Sequence, residues 1–236
     1  MTNDRRRFLA TGAAVGLGAL ALTDFPAFGQ DKLKDDKKKD EPEEEVGAAE
    51  DLMREHGVLN RILLIYEEGL RRLRDKEDVS PDAFHKPATL VRKFVEDYHE
   101  NLEECFIFPE FEKRMKLVEL TKTLREQHKA GRNVTDVILR NAAPDVFRKE
   151  DARKELVAAC QAFIRMYRPH EAREDTVLFP ALHKILTAKQ LDALGDKFEE
   201  EENKLFGKEG FEKTVEQVAV IEKQLGIEDL AKFTPK

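Results

Sequence analysis

From residue 48 onward, apolar residues recur every three or four positions, the repeat of helices that each bury one face. Over about 48–75 the stripe is Ala49, Leu52, His56, Leu59, Leu63 and Leu70. The polar loop DKEDVSPDAFHKP ends this helix, and Ser80-Pro81 forms the N-cap and first position of the next. That second helix is expected to reach about Phe111, with bends at Pro87 and Pro109. A third, over about 117–141, turns Leu117, Leu124, His128, Val134 and Ile138 inward, and Pro144 marks the following loop. The fourth has the clearest seam: Leu156, Cys160, Phe163, Tyr167, His170, Glu174, Val177 and Ala181 alternate steps of four and three. Pro169 removes a backbone N–H inside it, which predicts a kink or bulge that aims the neighbouring side chains.

Two further helices follow Pro180. Thr187 and Gln190 have the spacing of a capping box and open a helix that ends near Gly207. A last one runs from about 210 to Leu225 and is stopped by Gly226. Leu191, Leu194, Phe198 and Leu205 on the first, and Val215, Val218, Ile221 and Leu225 on the second, are expected to pack on the preceding helices. High charge, the absence of Trp and few Gly or Pro point to an all-α chain with solvated helix faces.

The first 46 residues do not share this pattern. DRRRFL precedes an apolar, Gly- and Ala-rich run from Phe8 to Leu22, shorter than the ~20 residues that span a bilayer. This resembles a twin-arginine export signal; small residues around Ala27-Phe28-Gly29 place cleavage after Gly29. Residues 1–29 are thus expected to direct export, to the periplasm or beyond, with no transmembrane span left in the mature chain. Residues 30–46, QDKLKDDKKKDEPEEEV, carry too little apolar surface to build a core and read as a charged, disordered linker. The 236-residue chain has a net charge of −7, which argues against a nucleic-acid partner.

The buried stripes contain polar residues that repeat. His99–Pro109 reads HENLEECFIFP and His170–Pro180 reads HEAREDTVLFP, with His56 and His128 some forty residues upstream of each. His56 to His128 is an offset of 72, and His99 to His170 and Glu103 to Glu174 are offsets of 71. The chain therefore contains an internal duplication. Residues four apart share a helix face, so His99 points with Glu103 and His170 with Glu174. Four imidazoles and two carboxylates then converge. That donor set suits iron, manganese or zinc, and carboxylates able to bridge suit two ions. A buried glutamate needs a charge partner, which a metal supplies.

Over about residues 47–185 these motifs resemble the hemerythrin-like, or HHE cation-binding, domain. The resemblance implies an up-down-up-down four-helix bundle holding a non-haem di-iron centre, with residues 186–236 as a C-terminal helical extension. It implies that His56 and His99 bind one iron, that His128 and His170 bind the other, and that Glu103 and Glu174 bridge them. Some members use a carboxylate five residues after the histidine, so Asp175 competes with Glu174. Oxygen-carrying members have a further histidine four residues after the equivalent of His128; here Arg132 stands there. Its guanidinium cannot ligate, and it is expected to pair with Glu174 or Asp175 or to close the pocket. A less saturated site leaves positions for O2, peroxide or nitric oxide. The leading reading is an exported di-iron protein that binds or senses such species. A di-iron peroxidase or oxidase and an iron-storage or iron-donating protein are the alternatives; another divalent metal would fit the same donors.

Glu100 and Glu171, next to their histidines, are expected to be solvated or to support the ligands. Tyr167 lies one turn before His170 and could hydrogen-bond a metal-bound species, or simply be a core tyrosine. His85 and His183 lack a repeat partner and are expected at the surface. Cys105 and Cys160 would stand on the order of 24 Å apart along the helices at 1.5 Å per residue, beyond disulfide reach, so both are expected to be free thiols.

Overall fold

The computed structural model describes residues 46–235. The expected signal (1–29) and nearly all of the expected linker (30–46) lie outside the described residues. Among the described residues the chain is helical with no strand, and no helix is long and apolar enough to cross a membrane.

Helix α1 spans Ala48–Asp75 and closes on Lys76 in the left-handed region (φ 59°). The second helical run starts where Ser80 Oγ accepts the Asp82 N–H at 3.2 Å. It is a succession of segments: α2 (Asp82–Leu90), π1 (Val91–His99), α3 (Glu100–Leu102), π2 (Glu103–Ile107) and α4 (Phe108–Lys113). The expected bend at Pro109 thus takes the form of π-helical widening in π2, whereas Pro87 lies inside α2 and π1 begins only four residues after it. Helix α5 covers Val118–Asn141, and the short α6 (Pro144–Phe147) leads to α7 (Glu150–Arg173). That run continues through π3 (Glu174–Leu178) into α8 (Phe179–Ile185). Helices α9 (Ala188–Phe206) and α10 (Gly210–Leu225) complete the packed part.

Of the kink or bulge expected at Pro169, no bulge forms. Helix α7 passes through it unbroken, because Pro169 is exposed and the carbonyl it leaves unpaired belongs to Arg165, itself exposed. Two of the three π segments, π2 and π3, instead lie just before Pro109 and Pro180. A proline ring clashes with the carbonyl four residues earlier, here those of Cys105 and Thr176, the middle residues of π2 and π3. A wider turn relieves the clash, and π turns gather at functional sites. The extra residue also shifts the seam by one. Leu178 and Leu182 are fully buried, whereas Val177 and Ala181, expected in the seam, are only half-buried.

The apolar faces of α1, α2, π1, α5 and α7 meet in one core. Tyr66 sits at one end of it between Phe84 (centroids 6.4 Å) and the edge of Phe163 (5.7 Å). Helices α9 and α10 lie against α1, α2 and π1. Phe206 packs on Phe94 and Tyr98 (5.8 and 5.5 Å), while Leu205, expected to face inward, is exposed. The inward stripe of α9 runs through buried Phe198 and Glu202 to half-buried Phe206 in steps of four, which turns Leu205 outward. Arg61 on α1 holds Glu222 of α10 (Nε–Oε1 2.9 Å), and Arg72 donates to the Leu225 carbonyl at 2.6 Å. The capping box on Thr187 and Gln190 is formed. Cys105 is exposed, Cys160 is buried, and both thiols are free.

Candidate metal centre

Each histidine of the repeat sits inside an apolar stripe, so packing that stripe carries its imidazole into the core. His56 comes from α1, His99 from the end of π1, His128 from α5 and His170 from α7. All four are buried, and Glu103 and Glu174 are completely so. His56 Nε2 lies 3.1 Å from His99 Nε2, and His128 Nε2 lies 3.2 Å from His170 Nε2. Glu103 Oε2 spans the two pairs, 3.7 Å from His99 Nε2 and 3.4 Å from His128 Nε2. Glu174 Oε2 does the same from the other side, 3.1 Å from His170 Nε2 and 3.4 Å from His56 Nε2. The six side chains form two histidine pairs with a carboxylate reaching across each way.

These contacts fit a cation. Metal–imidazole bonds of about 2.0–2.1 Å at right angles would hold two Nε2 atoms roughly 3 Å apart. Both oxygens of Glu103 and both of Glu174 are buried without a hydrogen-bond partner. Such orphaned acceptors are costly, and a metal ion satisfies all four. Three groupings among the described residues have ligand atoms close enough to hold an ion: Glu103–His128–His170–Glu174 and His56–His99–Glu103 at the centre, and Glu100–Glu104–His128 beside it.

The outer nitrogens are held with the same regularity. His56 Nδ1 meets Asp175 Oδ1 at 2.7 Å, and His128 Nδ1 meets Glu104 Oε1 at 2.9 Å. His99 Nδ1 meets Glu55 Oε2 at 2.7 Å, and His170 Nδ1 meets Gln127 Oε1 at 2.9 Å. A partner on Nδ1 fixes the tautomer that leaves Nε2 free to ligate. The π turns make this possible: Glu103 and Glu104, adjacent in sequence, face the two nitrogens of one imidazole, as do Glu174 and Asp175. Asp175 therefore does not compete with Glu174; each takes a different nitrogen of His56.

Glu100 and Glu171 are buried rather than solvated. Tyr167 Oη donates to Glu100 Oε1 at 2.6 Å, and Asn60 Nδ2 donates to Glu171. Arg132 does not reach Glu174 or Asp175. Its Nη2 lies 2.9 Å from both Glu100 and Glu104, because α5 packs that face against π1 and π2. Tyr167 can cross to Glu100 because Gly131 leaves room: a Cβ there would come within 2.1 Å of the hydroxyl. His183 is exposed beside Glu50 (3.3 Å), and His85 is half-buried; neither joins the cluster. The repeat pattern by itself did not single out Glu55, Gln127, Asn60 or Gly131. A signal existed for three of them: Glu55 and Gln127 each precede a repeat histidine, and Asn60, like Arg132, follows one by four.

Burial pushes Glu100 and Glu171 up to about 8 and His128 down to about 4. It also lowers His99. For His56 burial acts downward but Asp175 and Glu174 outweigh it, so the imidazole is raised. Burial raises Glu103; in Glu174 the same effect is outweighed by His170 and His56, which hold it low. Neutral His99 and His128 and an ionised Glu174 are the forms a metal binds.

Four imidazoles and two carboxylates, inward-facing on helices, define a helical protein whose core can hold metal. The chain belongs to the hemerythrin family, described as the Hemerythrin HHE cation binding domain, which it matches over residues 47–182 and again over 119–232. The first match takes in both halves of the repeat; the second takes in only its second half, His128, His170 and Glu174, together with α9 and α10, which contain no histidine. The chain is 44% identical, over 98% of its length and 91% of theirs, to uncharacterized proteins of Mycobacterium bovis and Mycobacterium tuberculosis. No solved structure matches it.

Proposed function

We propose that this is an exported di-iron protein that binds or senses O2 or a related small redox species such as peroxide or nitric oxide. In this reading residues 47–185 form an up-down-up-down four-helix bundle and 186–236 brace it from outside. The observation that carries it is the double crossing: Glu103 reaches from His99 to His128, and Glu174 from His170 to His56. In this reading Glu103 and Glu174 would each be shared between two ions, one at each histidine pair. Bound iron supplies redox chemistry and open coordination positions. The protein's own residues orient the imidazoles through Nδ1, keep the pocket buried and hold protons at Glu100 and Glu171. Export rests on residues 1–29; passage of a reporter fused to residues 1–35 that survives replacing Arg5–Arg7 by lysine would remove it.

The enzymatic alternative has one observation in its favour. The Tyr167 ring stands edge-on to His170 (centroids 5.5 Å) and its hydroxyl is tied to Glu100. Turnover of peroxide with a reductant, reduced in Tyr167→Phe, would favour it.

The deciding experiment is metal analysis of the aerobically purified chain with visible spectra taken with and without O2. About two irons per chain and an O2-dependent spectrum are expected. His99→Ala and His170→Ala should each lose metal clearly; full metal content in both variants would refute the assignment.

A further inference from the structure

The duplication is faithful in the ligands and unfaithful around them. At the position before the first histidine of each half, α1 has Glu55 and α5 has Gln127. At the position four after it, α1 has Asn60 and α5 has Arg132. All four side chains touch the centre or its supports. Glu55 holds His99, Gln127 holds His170, Asn60 donates to Glu171, and Arg132 pairs with Glu100 and Glu104.

Both departures act in one direction. Replacing a carboxylate by an amide removes a negative charge from the His128–His170 side, and replacing an amide by a guanidinium adds a positive one. Relative to a perfect duplication, the surroundings of that pair are two charges more positive than those of His56–His99. Glu100 and Glu171, which occur once in each half, leave that difference unchanged when they share a protonation state, and ionisation of Glu100 alone beside Arg132 reduces it to one charge without reversing it. The bridging carboxylates are shared and cannot cancel it. Arg132 also draws on Glu104, the partner of His128 Nδ1, whereas its counterpart Asn60 donates to Glu171 and leaves Asp175 to His56. A carboxylate on the outer nitrogen strengthens an imidazole as a ligand; an amide does so less.

Resting on the two-metal reading above, we propose that the two positions are inequivalent. The His56–His99 position fills first and retains its ion. The His128–His170 position fills second and exchanges, and Gln127 and Arg132 set the difference. At limiting metal the chain then carries one ion on a known side, and the second acts as the replaceable one.

The test is stepwise titration of the metal-free chain with Co(II), followed by visible absorption with a competing chelator. Wild type should take up two ions in separate steps whose affinities differ by at least about tenfold. Gln127→Glu should tighten the weaker step by about 10- to 100-fold and leave the tighter one in place. Arg132→Asn, which copies Asn60, should act the same way and guards against a fold defect in the first variant. Glu55→Gln should weaken the tighter step. Two equal steps, one cooperative step, or a weaker step unmoved by both Gln127→Glu and Arg132→Asn would overturn the inference while leaving a two-metal centre standing. A capacity of one Co(II) would overturn the two-metal reading itself.

Discussion

At the scale of single residues, the centre stores buried acid where the metal ligands do not need it. Glu100 and Glu171 sit at equivalent places, each with one neutral donor, Tyr167 or Asn60, and Arg132 stands beside Glu100. Burial raises both to about 8 from an ordinary 4.5. The folded metal-free chain therefore holds protons that the unfolded chain has released between pH 4.5 and about 8. Stability contributed by these groups falls as pH rises through that window, with a limiting slope of about 1.4 kcal/mol per pH unit per group. His56, also raised, acts in the same sense, and His99 and His128, lowered, oppose it below their ordinary value. Comparison with a variant isolates the effect. In chelator, Glu171→Gln should lose stability less steeply than wild type between pH 5 and 8 in denaturant unfolding. Parallel profiles would mean that Glu171 is already ionised in the fold. This acid was legible in the sequence as a position, next to a repeat histidine, but not as buried: its partner Asn60 lies 111 positions away. Arg132 was misplaced for the same reason, since which glutamates it meets depends on the packing of α5.

At the scale of elements, helix existence followed from the apolar stripes, and α1 spans Ala48–Asp75 as its stripe requires. What spacing alone could not show was the change of helix type. A π turn inserts one residue into a stripe that still looks regular, so Val177 and Ala181 read as seam while Leu178 and Leu182 fill it. The duplicated Phe-Pro was the available signal, because it puts the same steric demand on Cys105 and Thr176 in both halves. The π turns are what let Glu174 and Asp175 face the two nitrogens of His56. Pro180→Ala removes the clash and allows the run to return to α-helix, turning Asp175 about 100° away from His56 at 3.6 residues per turn. The variant should keep or raise its melting temperature, since alanine is the better helix residue by up to about 3 kcal/mol. Its metal affinity should fall by about 10- to 100-fold with loss of the Nδ1 partner. Unchanged affinity would show that the π turn owes nothing to Pro180 or that Asp175 does not support the ligand.

At the scale of the whole molecule, the duplication, the charge pattern and the C-terminal capping box were all readable, and the family match covers the repeated ligands. The side on which α9 and α10 dock was not, because Arg61–Glu222 and the Phe206 contacts join segments that no local pattern links. Two sources of stability act together here. One is an apolar core running through α1, α2, α5 and α7 and extended by α10; a fully buried Leu or Phe contributes about 1.5–3 kcal/mol. The other is metal. At a free concentration a thousand times its dissociation constant, one bound ion adds about 4 kcal/mol. In a domain of this size 1 kcal/mol moves the melting temperature by about 2–4 °C. The core, with its many buried Leu, Ile and Phe side chains, outweighs the metal, so the metal-free chain should remain helical. It should nevertheless melt roughly 10 °C or more lower, because four buried carboxylate oxygens and two facing pairs of imidazoles lose the charge between them. Calorimetry of the metal-loaded and chelated forms at one pH, with circular dichroism of both, checks this. Superimposable melting curves would place any bound metal outside the core, and unfolding on chelation would mean that the apolar seams alone do not sustain the fold.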